Sequence, residues 1–374
     1  MVRNLIFIFL VAGLLFGFIL IIRNQTSENR PIAPPADSAA EIIKPKVEKL
    51  IWTLATSSAP WSPRDAGATF IWQDKLWLAG GLNGSQAVAN EVNYWELPHF
   101  NDIWSTVDGV DWQEETARAA WPPRRSMSIV PFADKLWLLG GWSPIGGYQS
   151  DIWTSLDGAE WIKEKKSAAF PPREGQMVIE FKNQLWLLGG VEFDQRQTYN
   201  DIWFSPDGLN WTQTASSTLW SSRYDHAAAV FNNKLWLIGG VALSGEGQSD
   251  IWSSVDGLSW VLETDAALWG KRHGHALFEW PAPFGSGERS KLWLVSGWDT
   301  DKNDGANDAW SSVDGKNWIN EAPAPWRGRE DHAAVIFPTQ SVSGKQNDLW
   351  LFSGMDGDWR WRNDVWRGRL VGEE

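Results

Sequence analysis

The sequence predicts an all-β protein: a six-bladed β-propeller of four-stranded antiparallel blades, closed by its N-terminal strand and preceded by one transmembrane helix. Three observations predict it. A unit built around "KLW" recurs six times, at Trp77, Trp137, Trp186, Trp236, Trp293 and Trp350, at intervals of 49 to 60 residues. Each unit holds short apolar runs separated by turn signals. An apolar run of 18 residues, Leu5 to Ile22, precedes all of them.

The unit is most legible in "SSRYDHAAAVFNNKLWLIGGVALSGEGQSDIWSSVDGLSW", residues 221–260. "HAAAVF" and "KLWLIGG" read as strands joined by an Asn-Asn turn, and "SDIWSS" and "LSWVLE" as strands joined across Asp256-Gly257. Both dipeptides tolerate the positive φ that two-residue hairpin turns need. The apolar runs are nearly continuous, so both sheet faces should be buried. A meander of about 50 residues that buries both faces, repeated round a ring, is a propeller blade.

The Asp of "DIW" fixes the count at six: Asp102, Asp151, Asp201, Asp250, Asp308 and Asp364. The last unit ends without "DGxxW". The missing piece stands at the other end, where Trp52 precedes Arg64 by the same twelve residues that separate Trp112 from Arg124 and Trp161 from Arg173. The strand around Trp52 should therefore complete the last blade. Four recurring positions absorb 23 of the 30 tryptophans, whose rings should fill the wedges between blades. Trp72, Trp95, Trp142, Trp280, Trp298, Trp359 and Trp361 fall outside the series.

With these motifs in place, the chain resembles kelch-type β-propellers, including the central domain of galactose oxidase. The pattern is the double glycine after the second strand (Gly80-Gly81, Gly140-Gly141, Gly189-Gly190, Gly239-Gly240, decaying to Ser296-Gly297 and Ser353-Gly354), a variable loop, then an aromatic. "SSVDGLSW" also resembles the Asp-box hairpin of sialidase-like propellers. The resemblance covers about residues 50–369 and implies fold rather than function. Galactose oxidase chemistry needs a Tyr–Cys cross-link and copper, and this chain has no cysteine. Sialidases need an arginine triad, whereas the arginines here recur once per blade.

The expected organisation is a signal anchor or transmembrane helix over 1–23, a flexible stalk over 24–49, the propeller over 50–369 and a tail over 370–374. Arg3 and Arg23 bracket the apolar run. Arg23, Asn24 and Gln25 follow it in place of a small-residue cleavage site, so an uncleaved anchor is favoured over a cleaved signal peptide. The propeller is then expected outside, periplasmic or extracellular. A net charge of −13 argues against nucleic acid as a partner. No cofactor and no metal are expected.

The "DIW" aspartates recur in every blade, which points to scaffold, paired with the recurrent arginines Arg64, Arg124, Arg173, Arg223, Arg272 and Arg329. His226, His275 and His332 follow three of these arginines. They read as strand caps rather than metal ligands. Features that break the ring symmetry point to function instead. On the face carrying the loops between second and third strands, these are Trp95 in the insert 82–100, Trp142, Trp298, Asp299, Trp359 and Trp361. The expected function is a non-catalytic module binding protein or carbohydrate on that face, as a monomeric propeller. The alternative is a glycan-active hydrolase or lyase at the channel mouth, with Asp299, Asp301, Asp356 and Asp358 as the carboxylates to inspect.

Overall fold

Short apolar runs with positive-φ turns between them leave each unit one way to satisfy its backbone, an antiparallel meander. The computed structural model describes residues 48–85, 93–214, 220–282, 289–321, 323–341 and 344–372. The expected anchor and most of the stalk lie outside the described residues, as do Glu373 and Glu374. No helix among the described residues is long and apolar enough to cross a membrane.

Six four-stranded antiparallel sheets form. Blade 1 runs Ala68–Trp72, Lys75–Ala79, Ile103–Thr106 and Gln113–Thr116. Blades 2 to 5 repeat that order from Ser128–Phe132, Met177–Phe181, Ala227–Phe231 and Ala276–Trp280. Blade 6 uses Ala333–Ser341, Gly344–Phe352 and Val365–Gly372, and takes its outer strand, Glu48–Thr56, from the other end of the chain. Trp52 stands opposite Gly368 in that closure. First strands of successive blades are neighbours, and that of blade 6 neighbours that of blade 1, so the ring is closed.

The turns behave as their residues dictate. Asn232 and Asn233 have φ of 50° and 57°, and Gln73 and Asp74 have φ of 50° and 58°. At Asp256-Gly257 the Asp256 carboxylate accepts the Leu258 and Ser259 amides at 2.8 and 2.7 Å, and Ser254 Oγ accepts the Gly257 amide. Gly257 has φ of 78° and lies under the Trp186 ring of the preceding blade, where a Cβ would come within 2.5 Å. Dihedral and space both demand glycine.

Tryptophan fills the wedges as expected. In most blades the ring three residues before the recurrent Arg meets the aromatic near that blade's outer strand edge-on: Trp61–Trp112, Trp220–Trp260 and Trp269–Trp318 lie 6.0, 6.4 and 4.6 Å apart. Phe170 takes the same place against Trp211 at 5.3 Å.

The expected Arg–Asp pairing is present in all six blades. Each Arg forks onto both oxygens of the "DIW" Asp, with the shorter bond at 2.5 to 2.8 Å. The same guanidinium donates to the first carbonyl of the double-glycine position, Gly239 O at 2.8 Å from Arg223. The adjacent Trp indole donates to the second Asp oxygen, Trp252 Nε1 to Asp250 at 2.7 Å. Arg223 is fully buried. Lysine has one ammonium and cannot span the fork. Arg223→Lys should therefore lower stability by about 2–4 kcal/mol, read as a fall in urea midpoint at unchanged m-value. Exposed Arg118→Ala should change it by under about 0.5 kcal/mol.

Candidate binding site at the channel mouth

The residue after each recurrent Arg pairs with the residue after the double glycine of the same blade. These pairs are Asp65–Leu82, Arg125–Trp142, Glu174–Val191 and Tyr224–Val241, then His273–Trp298 and Glu330–Met355. The next residue inward is left-handed in every blade: Ala66, Ser126, Gly175, Asp225, Gly274 and Asp331 have φ between 49° and 63°. Their backbones bond from blade to blade. Ser126 N donates to Ala66 O, Ala66 N to Asp331 O, Asp331 N to Gly274 O, Gly274 N to Asp225 O and Asp225 N to Gly175 O, all at 2.8 to 3.0 Å. A backbone collar thus runs round the axis at the mouth, bonded at five of its six junctions, and the side chains on it differ from blade to blade.

Above the collar lies a cavity of about 420 Å³. Asp65, Glu174, Asp225, Glu330 and Asp331 supply five carboxyl groups to its lining, and Arg125 and His273 are the basic side chains there. Tyr94, Trp95, Phe193 and Tyr224 supply aromatic wall. Arg125 forks onto Glu174, with Nε at 2.9 Å and the terminal nitrogen at 3.1 Å. Its guanidinium also lies 4.8 Å from the Trp95 ring and 5.3 Å from the Trp142 ring.

Crowding of the acids shapes their protonation. Burial, then repulsion from Asp331, holds Asp65, Asp225 and Glu330 well above the ordinary carboxyl range. Burial pushes Asp331 up to about 6, against the lowering effect of Arg125. Burial lowers His273 to about 4, so it is neutral at pH 7. Its Nδ1 lies 3.4 Å from Glu330 Oε2 without hydrogen-bond geometry, a contact between a neutral ring and a carboxyl rather than an ion pair.

The residues singled out from sequence fall into two groups on this face. Trp95 is 37 % exposed and lines the cavity, with Trp142 packed behind it at 4.8 Å. Trp298 and Trp361 are buried in a cluster with Leu82 and Met355, and Trp359 stands 44 % exposed at 5.9 Å from Trp298. Trp142 and Trp298 are not off schedule: they fill the ring position that holds Leu82, Val191, Val241 and Met355 elsewhere. Asp299 is buried, accepting from the Asp301 and Lys302 amides and the Lys302 ammonium. Asp356 is likewise engaged with Arg362, and Asp358 lies 3.6 Å from Arg327. None of the four inspected aspartates lines the cavity.

His226 and His275 do not cap strands. Neither ring nitrogen of either has a protein partner among the described residues. Each ring instead fills the slot left by a glycine of the preceding blade, where a Cβ at Gly189 or Gly239 would come within 2.8 Å of the imidazole. No group of three His, Cys, Asp or Glu among the described residues is arranged to hold a metal ion.

The cavity acids are hard to see in the sequence because each stands beside or one residue beyond a recurrent Arg that marks scaffold. The two positions after it read Asp-Ala, Arg-Ser, Glu-Gly, Tyr-Asp, His-Gly and Glu-Asp. Variation inside a fixed frame was the available signal.

Six sheets, the double glycines and the Arg–Asp fork define a kelch-type propeller. The chain matches the KLHDC2/KLHL20/DRC7 Kelch-repeats domain over residues 37–240, more than half its length, and belongs to that kelch-repeat family. Among solved structures, that of YjhT is similar in fold, with a TM-score of 0.62 and 14 % identity, covering 85 % of this chain and 100 % of that one. No curated protein matches the chain.

Native Asp331 holds its proton to about pH 6, whereas an ordinary Asp loses it near 3.8. Its stabilising contribution is therefore full below pH 3.8 and lost as pH rises through 6. Asp331→Asn should show a stability advantage that is absent near pH ~4, grows through pH ~6 and levels off at about 1–2 kcal/mol above pH ~7, measured by urea unfolding. The acid limb should survive in the variant. Burial lowers His226 to about 3, so the unfolded chain takes up protons below 6.5 that the native ring refuses.

Proposed function

We propose that this chain is a membrane-anchored, exported binding module that takes a glycan unit into the channel mouth. The cavity carries the reading. Its volume of about 420 Å³ falls in the range of small-ligand sites and suits a sugar ring better than the flat contact of a folded protein. The Trp95 indole offers a face for the C–H side of a pyranose. The carboxyl groups, some protonated, both donate and accept hydrogen bonds, as sugar hydroxyls require. The apolar run Leu5 to Ile22 supports anchoring. The absence of cysteine is compatible with export.

Catalysis on the bound glycan is the second reading. Asp331, held at about 6 among other carboxyls, has the protonation balance of a general acid–base group near neutral pH. Release of shortened or unsaturated saccharide on incubation with the purified chain would favour it.

On a glycan array the full chain should retain at least one saccharide class, and Trp95→Ala should lower that affinity about tenfold with little change in melting temperature. Trp142→Ala should lower both, because that ring is buried. Undiminished retention by Trp95→Ala would overturn the assignment of the site. A reporter fused after Glu374 should score as exported, and a cytoplasmic score would overturn the topology.

A further inference from the structure

We propose that the ligand of the channel mouth carries a protonated amine, as in a saccharide with free amino groups. This rests on the reading of the mouth as the ligand site, and adds the ligand's charge.

Charge is unbalanced at the cavity wall. Among the described residues, Glu174 alone of the five carboxyl groups has a hydrogen-bonded cation, and that bond occupies Arg125 from two sides. Asp65, Asp225, Glu330 and Asp331 have no ion pair to a described Lys or Arg, and no lysine is among the lining residues. His273 is neutral at pH 7 and does not fill the gap. Glu330 and Asp331 add an independent sign: both line the cavity, and neither carboxyl accepts a hydrogen bond among the described residues. A buried acceptor without a donor is costly, and a ligand N–H is the group that completes it.

The acids are accommodated by design of the collar. A Cβ at Gly175 would come within 2.6 Å of Asp225 Oδ1, and one at Gly274 within 2.8 Å of Asp331 Oδ1. Each carboxyl occupies space that glycine on the preceding blade leaves open. The aromatic wall suits a cation as well. Trp95 and Tyr94 already face the Arg125 guanidinium at 4.8 and 5.8 Å, while Phe193 and Tyr224 form an edge-on pair at 5.3 Å beside the acids. Carboxyl acceptors beside aromatic faces match an organic cation with several N–H donors.

Protons link to this binding. Among the titratable groups facing the acids, Tyr94 and Tyr224 are pushed up by burial and stay neutral, and Arg125 stays charged. An incoming ammonium displaces protons held by the carboxyl groups, so its affinity rises with pH across the range where Asp331 titrates.

Isothermal titration of the full chain distinguishes the outcomes, with glucosamine trimer, its fully N-acetylated counterpart and spermidine as probes. At pH ~7 the free-amine trimer should bind at least about tenfold tighter than the acetylated one. The affinity of spermidine, whose amines stay charged throughout, should fall at least about threefold at pH ~5, with proton release on binding. Glu330→Gln and Asp331→Asn should each erase most of the preference, read as the ratio of the two trimers' affinities. An unchanged melting temperature and intrinsic Trp fluorescence separate lost charge from lost fold. Equal or tighter binding of the acetylated trimer overturns the amine and leaves the glycan site standing. Spermidine binding that Trp95→Ala weakens, without binding of either trimer, upholds the cation and overturns the glycan reading. No binding of any probe overturns both.

Discussion

Everything in this propeller hangs on one buried fork per blade. The guanidinium joins three parts of the chain that sequence separates: the link entering the blade, the turn out of the second strand, and the Asp that starts the third. A buried Arg–carboxylate pair is a weak source of net stability, because desolvation offsets most of its attraction. Its value here is geometric. Two parallel bonds to the carboxylate and one to a carbonyl set the angle of the link, and that angle delivers the following two residues to the channel mouth. The tryptophans supply the apolar burial that makes such a fork affordable.

The fold was legible because repetition amplifies weak local signals. One "DG" means little, yet five in register define a blade edge. The closing strand was legible from the spacing of Trp52 to Arg64 alone, and Trp52 does stand opposite Gly368. The role of the "DIW" aspartates followed from the same symmetry.

The site was less legible, for two physical reasons. Aromatics stand out in a sequence whether or not they are exposed. Trp142 and Trp298 look exceptional because blades with Leu82, Val191, Val241 and Met355 hide the equivalence. Trp361 looks exceptional too, yet its ring covers Gly84, where a Cβ would come within 2.2 Å. The cavity acids were hidden by the opposite effect. Asp65, Glu174 and Glu330 sit beside arginines that look purely structural, and only closure of the ring brings residues so far apart in the chain to one place.

The backbone collar has a consequence for how such a protein can change. Its blade-to-blade bonds join amides to carbonyls, so the collar is indifferent to most of the side chains it carries. The positions beside the axis can be rewritten one at a time while strands, forks and wedges stay as they are. Recognition and architecture are thereby inherited separately: a lineage can keep one ring and exchange the chemistry at its centre.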